Sequence, residues 1–122
     1  MSRRALLVED EELVRALLAE VLAEAGWDVT EAMSGDAAVA LLQRESFDLL
    51  VTDVHMPGRT DGYEVARQAR EQSVELPVIV TTGRPEPGRP ALGGATALVP
   101  KPFRIDAMLS AIERIAARRS AI

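Results

Sequence analysis

Apolar and polar positions along this chain alternate between two periods. Four short runs, Ala5 to Val8, Leu49 to Thr52, Val78 to Thr82 and Thr96 to Val99, have the length and the Val and Leu content of buried strands. A fifth, Trp27 to Ala32, sets Trp27 and Val29 against Asp28 and Thr30, the alternation of a half-buried or edge strand. Between these runs, apolar residues recur every three or four positions, as on one face of a helix. The first such stretch carries the rows Leu13, Leu17, Val21 and Val14, Leu18, Leu22, Ala25, and Gly26 stops it. The second runs through Ala37, Ala38, Leu41 and Leu42, with Ser34 or Asp36 as its N-cap. The third, Tyr63 to Gln72, turns Val65, Ala66 and Ala69 inward, and the last, Arg104 to Ala117, does so with Met108, Leu109, Ile112 and Ile115. Strands alternating with helices predict an α/β fold, a parallel sheet covered on both faces and joined by right-handed crossovers. Leu49 to Thr52, wholly apolar up to its last residue, is the expected central strand. One interval breaks the rhythm. Pro85, Pro87, Gly88, Pro90 and Gly93 lie between Gly83 and Gly94, so the fourth crossover is expected to be irregular or 3₁₀-like rather than a regular helix.

Three of the apolar runs lead into charge: Ala5 to Val8 into Glu9 and Asp10, Leu49 to Thr52 into Asp53, and Thr96 to Val99 into Lys101. Parallel sheets place their chemistry just beyond the carboxyl ends of the strands. If the three strands are neighbours, three carboxylates and one ammonium converge on one spot. Carboxylates so close repel one another unless a divalent cation lies between them, and the lysine then answers an additional anion. The pattern implies a Mg²⁺ and phosphate site. Composition narrows the rest. At 122 residues, one domain spanning 1–122 is expected. A net charge of -5, with 19 acids against 14 dispersed Lys and Arg residues, argues against nucleic acid as a partner. The cluster Arg114, Arg118, Arg119 suits the cationic last turns of a helix. Absence of cysteine excludes disulfides and thiolate metal sites. No stretch approaches the roughly 20 apolar residues that span a bilayer, and the Met-Ser-Arg-Arg start lacks a signal-peptide pattern. A soluble cytoplasmic protein without membrane insertion is expected.

Taken together and in order, Glu9-Asp10, Asp53, Met56-Pro57, Thr82-Gly83 and Lys101-Pro102-Phe103, each at a strand end, resemble the receiver domain of two-component response regulators. The resemblance covers Ala5 to about Ala117. It implies a flavodoxin-like, doubly wound five-stranded parallel sheet in the order 2-1-3-4-5. It further implies a phosphorelay phosphoacceptor that takes a phosphoryl group on Asp53 with Mg²⁺, from a sensor histidine kinase or histidine phosphotransfer protein, and thereby switches binding to a downstream protein target. Such a domain is a signalling module rather than an enzyme. Glu9, Asp10 and Asp53 are the implied metal acids, joined by the main-chain carbonyl of His55. Asp53 is the implied nucleophile, Lys101 the counter-charge on the phosphoryl oxygens, and Thr82, ahead of Thr81, the hydroxyl that meets the new phosphoryl group. The imidazole of His55 is expected to be exposed or packed nearby, and Phe103 to belong to the core. His55 and Arg84, two residues past Asp53 and Thr82, line the entry path in this reading and set the phosphoryl lifetime.

The chain departs from the family pattern in three places. The loop Gly58-Arg59-Thr60-Asp61-Gly62 carries one residue more than the commonest form. Leu98 stands three residues before Lys101, where an aromatic usually couples to the threonine. The proline-rich stretch from Arg84 to Pro90 replaces most of the usual fourth helix, and together with Leu98 it leads to the expectation of signalling through the mobility or order of that loop. Two rival functions remain: a degenerate receiver acting as a phosphorylation-independent binding module, and a small Mg²⁺-dependent aspartyl phosphatase. The latter ordinarily needs a second Asp two residues after the first, where this chain has His55.

Overall fold

A computed structural model describes residues 3–83 and 93–120. The strands are β1 (Arg3–Val8), β2 (Trp27–Ala32), β3 (Leu49–Asp53), β4 (Val78–Thr82) and β5 (Thr96–Pro100). The helices are α1 (Glu12–Glu24), α2 (Gly35–Arg44), α3 (Gly62–Gln72) and α4 (Ile105–Ser120). All strands pair in parallel, in the order β2-β1-β3-β4-β5. The alternation predicts the parallel sheet, and the order is that of the doubly wound, flavodoxin-like sheet that the resemblance implies, with β3 at its centre. The proposed irregular fourth crossover, with Arg84, lies outside the described residues.

Side chains of a strand alternate between the two faces, so the sheet separates two cores. Leu6 and Val8 join Leu50, Val78 and Val80 beneath α2 and α3. Ala5 and Leu7 join Leu49, Val51 and Ile79 beneath α1 and α4, against Leu18, Leu22, Met108 and Ile112. Burial on both faces explains the unbroken apolar runs in β1, β3 and β4.

Local signals account for the boundaries. Ser34 Oγ accepts a hydrogen bond from the Ala37 N–H at 3.1 Å, which decides the cap of α2 in its favour over Asp36. Asp61 Oδ1 does the same for Glu64 N–H at 2.9 Å at the start of α3. Gly26, at φ 98°, adopts the left-handed conformation that ends α1. β1 begins at Arg3 rather than Ala5, because Arg3 and Arg4 pair with Trp27 and Asp28 of β2; their side chains also pack on rings, Arg3 over Trp27 at 4.1 Å and Arg4 over Phe47 at 4.8 Å. The row Leu13, Leu17, Val21 does not lie inward as a whole. Leu13 is 86% exposed and Leu17 also faces solvent, since the inward stripe of α1 is Leu18, Val21 and Leu22. Phe103 is half-buried against the second core. Leu98, on edge strand β5, is 57% exposed among the residues described.

Candidate functional site

At the carboxyl end of the sheet, β1 releases Glu9 and Asp10, β3 ends on Asp53, β4 ends on Thr82, and β5 is followed at once by Lys101. Adjacency of β1 to β3 brings the acids together: Glu9, Asp10 and Asp53 each offer a carboxylate oxygen within 4.8 Å of the others. Lys101 Nζ lies 3.0 Å from Glu9 Oε1 and 3.2 Å from Asp53 Oδ2. The lysine thus bridges the acid from β1 and the acid from β3, although its strand is two places from β3.

Backbone hydrogen bonds hold these groups. Lys101 N–H donates to the Thr82 carbonyl at 2.8 Å, tying the threonine and lysine positions to each other. Glu9 N–H donates to the Ala32 carbonyl at 3.1 Å, and Val54 N–H to the Thr81 carbonyl at 3.0 Å. The Thr81 hydroxyl lies 3.5 Å from the Thr52 carbonyl, within the sheet. Thr82 is buried at the strand's end, and His55 is exposed in the loop beyond Asp53. The His55 imidazole is not part of the carboxylate cluster.

Two glycines shape the loop carrying His55: Gly62, of that loop, and Gly35, which no motif marked. A Cβ on Gly62 would stand 1.9 Å from the Asp53 carbonyl oxygen, and one on Gly35 would stand 2.0 Å from the Thr60 carbonyl oxygen. Neither contact is possible for a real side chain, so the backbone after Asp53 is pressed against α3 at one end and α2 at the other. Thr60 Oγ1 also donates to Asp36 Oδ1 at 2.5 Å. The loop with its added residue is therefore anchored, and Gly62 N–H closes it on the Val54 carbonyl at 2.9 Å. Arg15, on α1, is a further contributor that no motif marked: its Nη1 donates to the Glu9 carbonyl at 2.9 Å.

The electrostatics are those of a cation site. Glu9 is 1% exposed, and burial raises its carboxyl above the ordinary value, with Asp53 adding to the rise while Lys101 and the Glu11 N–H oppose it. Burial pulls the Lys101 ammonium down, but its hydrogen bond to Glu9 and the charges of Asp53 and Glu9 outweigh that, so its value is raised. Fully ionised, three carboxylates against one ammonium leave two negative charges uncompensated, which matches a divalent ion. The hard oxygen donors suit such an ion as well.

The profile of the response regulator receiver domain matches residues 5–113. The chain belongs to that family. It is 36% identical over 120 residues to the alkaline phosphatase synthesis transcriptional regulatory protein PhoP of Bacillus subtilis, an alignment covering 93% of this chain and 50% of the relative. The chain spans about half the length of the curated relatives it matches. Among solved structures, a response regulator receiver protein from Sinorhizobium medicae superposes with a TM-score of 0.87 at 27% identity, covering 97% of each chain. The receiver domain of a sensor histidine kinase from Pseudomonas aeruginosa, with a magnesium ion coordinated in its active site cleft, gives 0.81 at 26% identity, covering 96% of this chain and 99% of that one. The receiver of a two-component system is a phosphoacceptor domain, and the three acids here are able to hold a metal ion. Among the described residues no helix is long and apolar enough to cross a membrane.

Proposed function

We propose that residues 1–122 act as one cytoplasmic receiver domain in which Asp53 takes a phosphoryl group from a phosphohistidine on a kinase or phosphotransfer protein. The observation that carries this reading is the meeting of Glu9, Asp10 and Asp53 with Lys101 at 3.0 and 3.2 Å. In the transfer, an Asp53 carboxylate oxygen forms the new bond to phosphorus. The phosphorus–nitrogen bond breaks, and its electron pair stays on the donor imidazole. Lys101, already held beside Asp53, neutralises charge on the phosphoryl oxygens, and Thr82 donates its hydroxyl to the transferred group. Glu9, Asp10, Asp53 and the His55 main-chain carbonyl would hold Mg²⁺, which when bound draws charge from the phosphoryl oxygens. Hydrolysis of the acyl phosphate by water returns the carboxylate and releases inorganic phosphate. The phosphorylated surface then engages a downstream protein.

Incubation with Mg²⁺ and acetyl phosphate, followed by intact-mass spectrometry, tests the reading. A gain of one phosphoryl group that is lost in Asp53→Asn and on chelation is expected. Steady turnover of an unrelated phosphoester points instead to a phosphatase, and no modification at any Mg²⁺ concentration to a passive binding module; either result overturns the proposal.

A further inference from the structure

The peptide group joining Glu9 to Asp10 is gripped by a side chain from α1. The Glu9 carbonyl oxygen belongs to that peptide bond, and it accepts the hydrogen bond from Arg15 Nη1 at 2.9 Å. Arg15 is itself fixed. Its side chain is only 15% exposed, and its Nε lies 3.3 Å from Glu31 Oε1 on β2. Elsewhere on the same acid, the N–H is held by the Ala32 carbonyl, and Oε2 accepts from Glu11 N–H at 3.2 Å. With Glu9 pinned at its amide and its carboxylate, the freedom left between the two acids is rotation of the peptide plane that links them. Arg15 holds that plane.

Glu31 has a separate task. A guanidinium beside a cation site repels the cation, and its pairing with Glu31 cancels that charge while leaving the fork of donors in place. We propose that Arg15 is a positioning residue for a divalent-cation site at Glu9, Asp10 and Asp53, with Glu31 as its charge partner. This rests on the cation-binding reading given above.

The sign of the effect separates positioning from proximity. Were Arg15 merely a nearby positive charge, its removal would tighten binding of a dication. As a positioning residue, its removal loosens binding, by about 10-fold on the scale of residues that orient metal ligands. Isothermal titration with Mg²⁺ in low and high salt reads this directly, with circular dichroism confirming that each variant is folded. Arg15→Gln should weaken binding about 10-fold at both salt concentrations. Glu31→Gln should weaken it in low salt and approach the parent in high salt, because its effect is a screened charge. Arg15→Lys keeps the charge without the two-armed geometry and should remain weaker than the parent. Equal or tighter binding by Arg15→Gln overturns the proposal, and if that variant does not fold, parent-like binding by Arg15→Lys overturns it. A parent chain that binds no Mg²⁺ overturns the cation reading and this inference together, whereas a parent that binds beside an unaffected Arg15→Gln removes this inference alone.

Discussion

Gly62→Ala offers a test in which local and tertiary effects have opposite signs. Gly62 is the first residue of α3, where alanine ordinarily favours a helix by up to about 1 kcal/mol. Here the added carbon would lie 1.9 Å from the Asp53 carbonyl oxygen, 2.7 Å from its carbon and 2.9 Å from the Val54 Cα. All three are backbone atoms and cannot turn aside as a flexible side chain would. Carbon and carbonyl oxygen rest at about 3.3 Å, so the two segments must separate by about 1.4 Å. Overpacking of this kind costs about 1–3 kcal/mol. Loss of the Gly62 N–H to Val54 carbonyl bond adds about 1 kcal/mol. Net of the helix gain, about 2 kcal/mol of destabilisation is expected, which is about 8 °C in melting temperature for a domain of this size. Because the atoms that yield belong to Asp53, the proposed acceptor, phosphorylation by acetyl phosphate should slow as well, by up to about 100-fold for a displacement of this order. Thermal melts and single-turnover mass spectrometry measure the two effects. Gly83→Ala is the control, since its nearest described contact, Lys101 Cβ, is at 4.0 Å. An unchanged or raised melting temperature with an unaltered phosphorylation rate in Gly62→Ala would refute the reasoning.

Three further outcomes are expected. Arg70 donates to the carbonyls of Val74, Leu76 and Ala95 and, at 2.7 Å, to Thr96 Oγ1, stitching α3 to the approaches of β4 and β5. Arg70→Met should therefore cost about 2 kcal/mol in urea unfolding, against almost nothing if these contacts were incidental. An acid raised above its ordinary value of 4.5, as Glu9 is, binds more protons folded than unfolded. Its contribution to the stability of the metal-free protein is thus fully present below 4.5 and lost as pH rises through the raised value. The melting-temperature gain from added Mg²⁺ should accordingly be larger at neutral pH than near the ordinary carboxylate range, and a gain independent of pH would count against Glu9 as a ligand. On α1, Leu13→Ala should change stability by less than about 0.5 kcal/mol, whereas Leu22→Ala, at 1% exposure, should cost about 2–5 kcal/mol in the same urea titration.

Much of this architecture is written in period and punctuation. Apolar runs buried on both faces announce β1, β3 and β4, and the Ser34 and Gly26 signals mark helix ends where the backbone turns. What escaped detection depends on partners distant in sequence. Arg3 and Arg4 look like a polar tail until Trp27 and Phe47 supply rings for them to cover. Leu13 and Leu17 share the spacing of a buried stripe, but the face of α1 that is buried carries Leu18, Val21 and Leu22. The site shows the same division. Charge at strand ends foretold the meeting of Glu9, Asp10, Asp53 and Lys101, since topology alone brings those ends together. Arg15, Gly35 and Gly62 carried no such mark: a lone arginine in a helix and glycines beside turns are common, and only the close approach of other backbone atoms gives these three meaning.

Trp27, the chain's single tryptophan, stands opposite Arg3 at the amino end of the sheet, under a guanidinium 4.1 Å from its ring. From there to Ala32, whose carbonyl receives the Glu9 amide, the strand advances by five residue steps, or about 16 Å. Its emission is therefore a spectroscopic clock for loss of the sheet and for the Arg3 stack. Filling of the acid cluster at the far end should leave that emission almost unchanged, so one fluorescence trace can follow unfolding in any mixture of metal and phosphodonor without correction for occupancy.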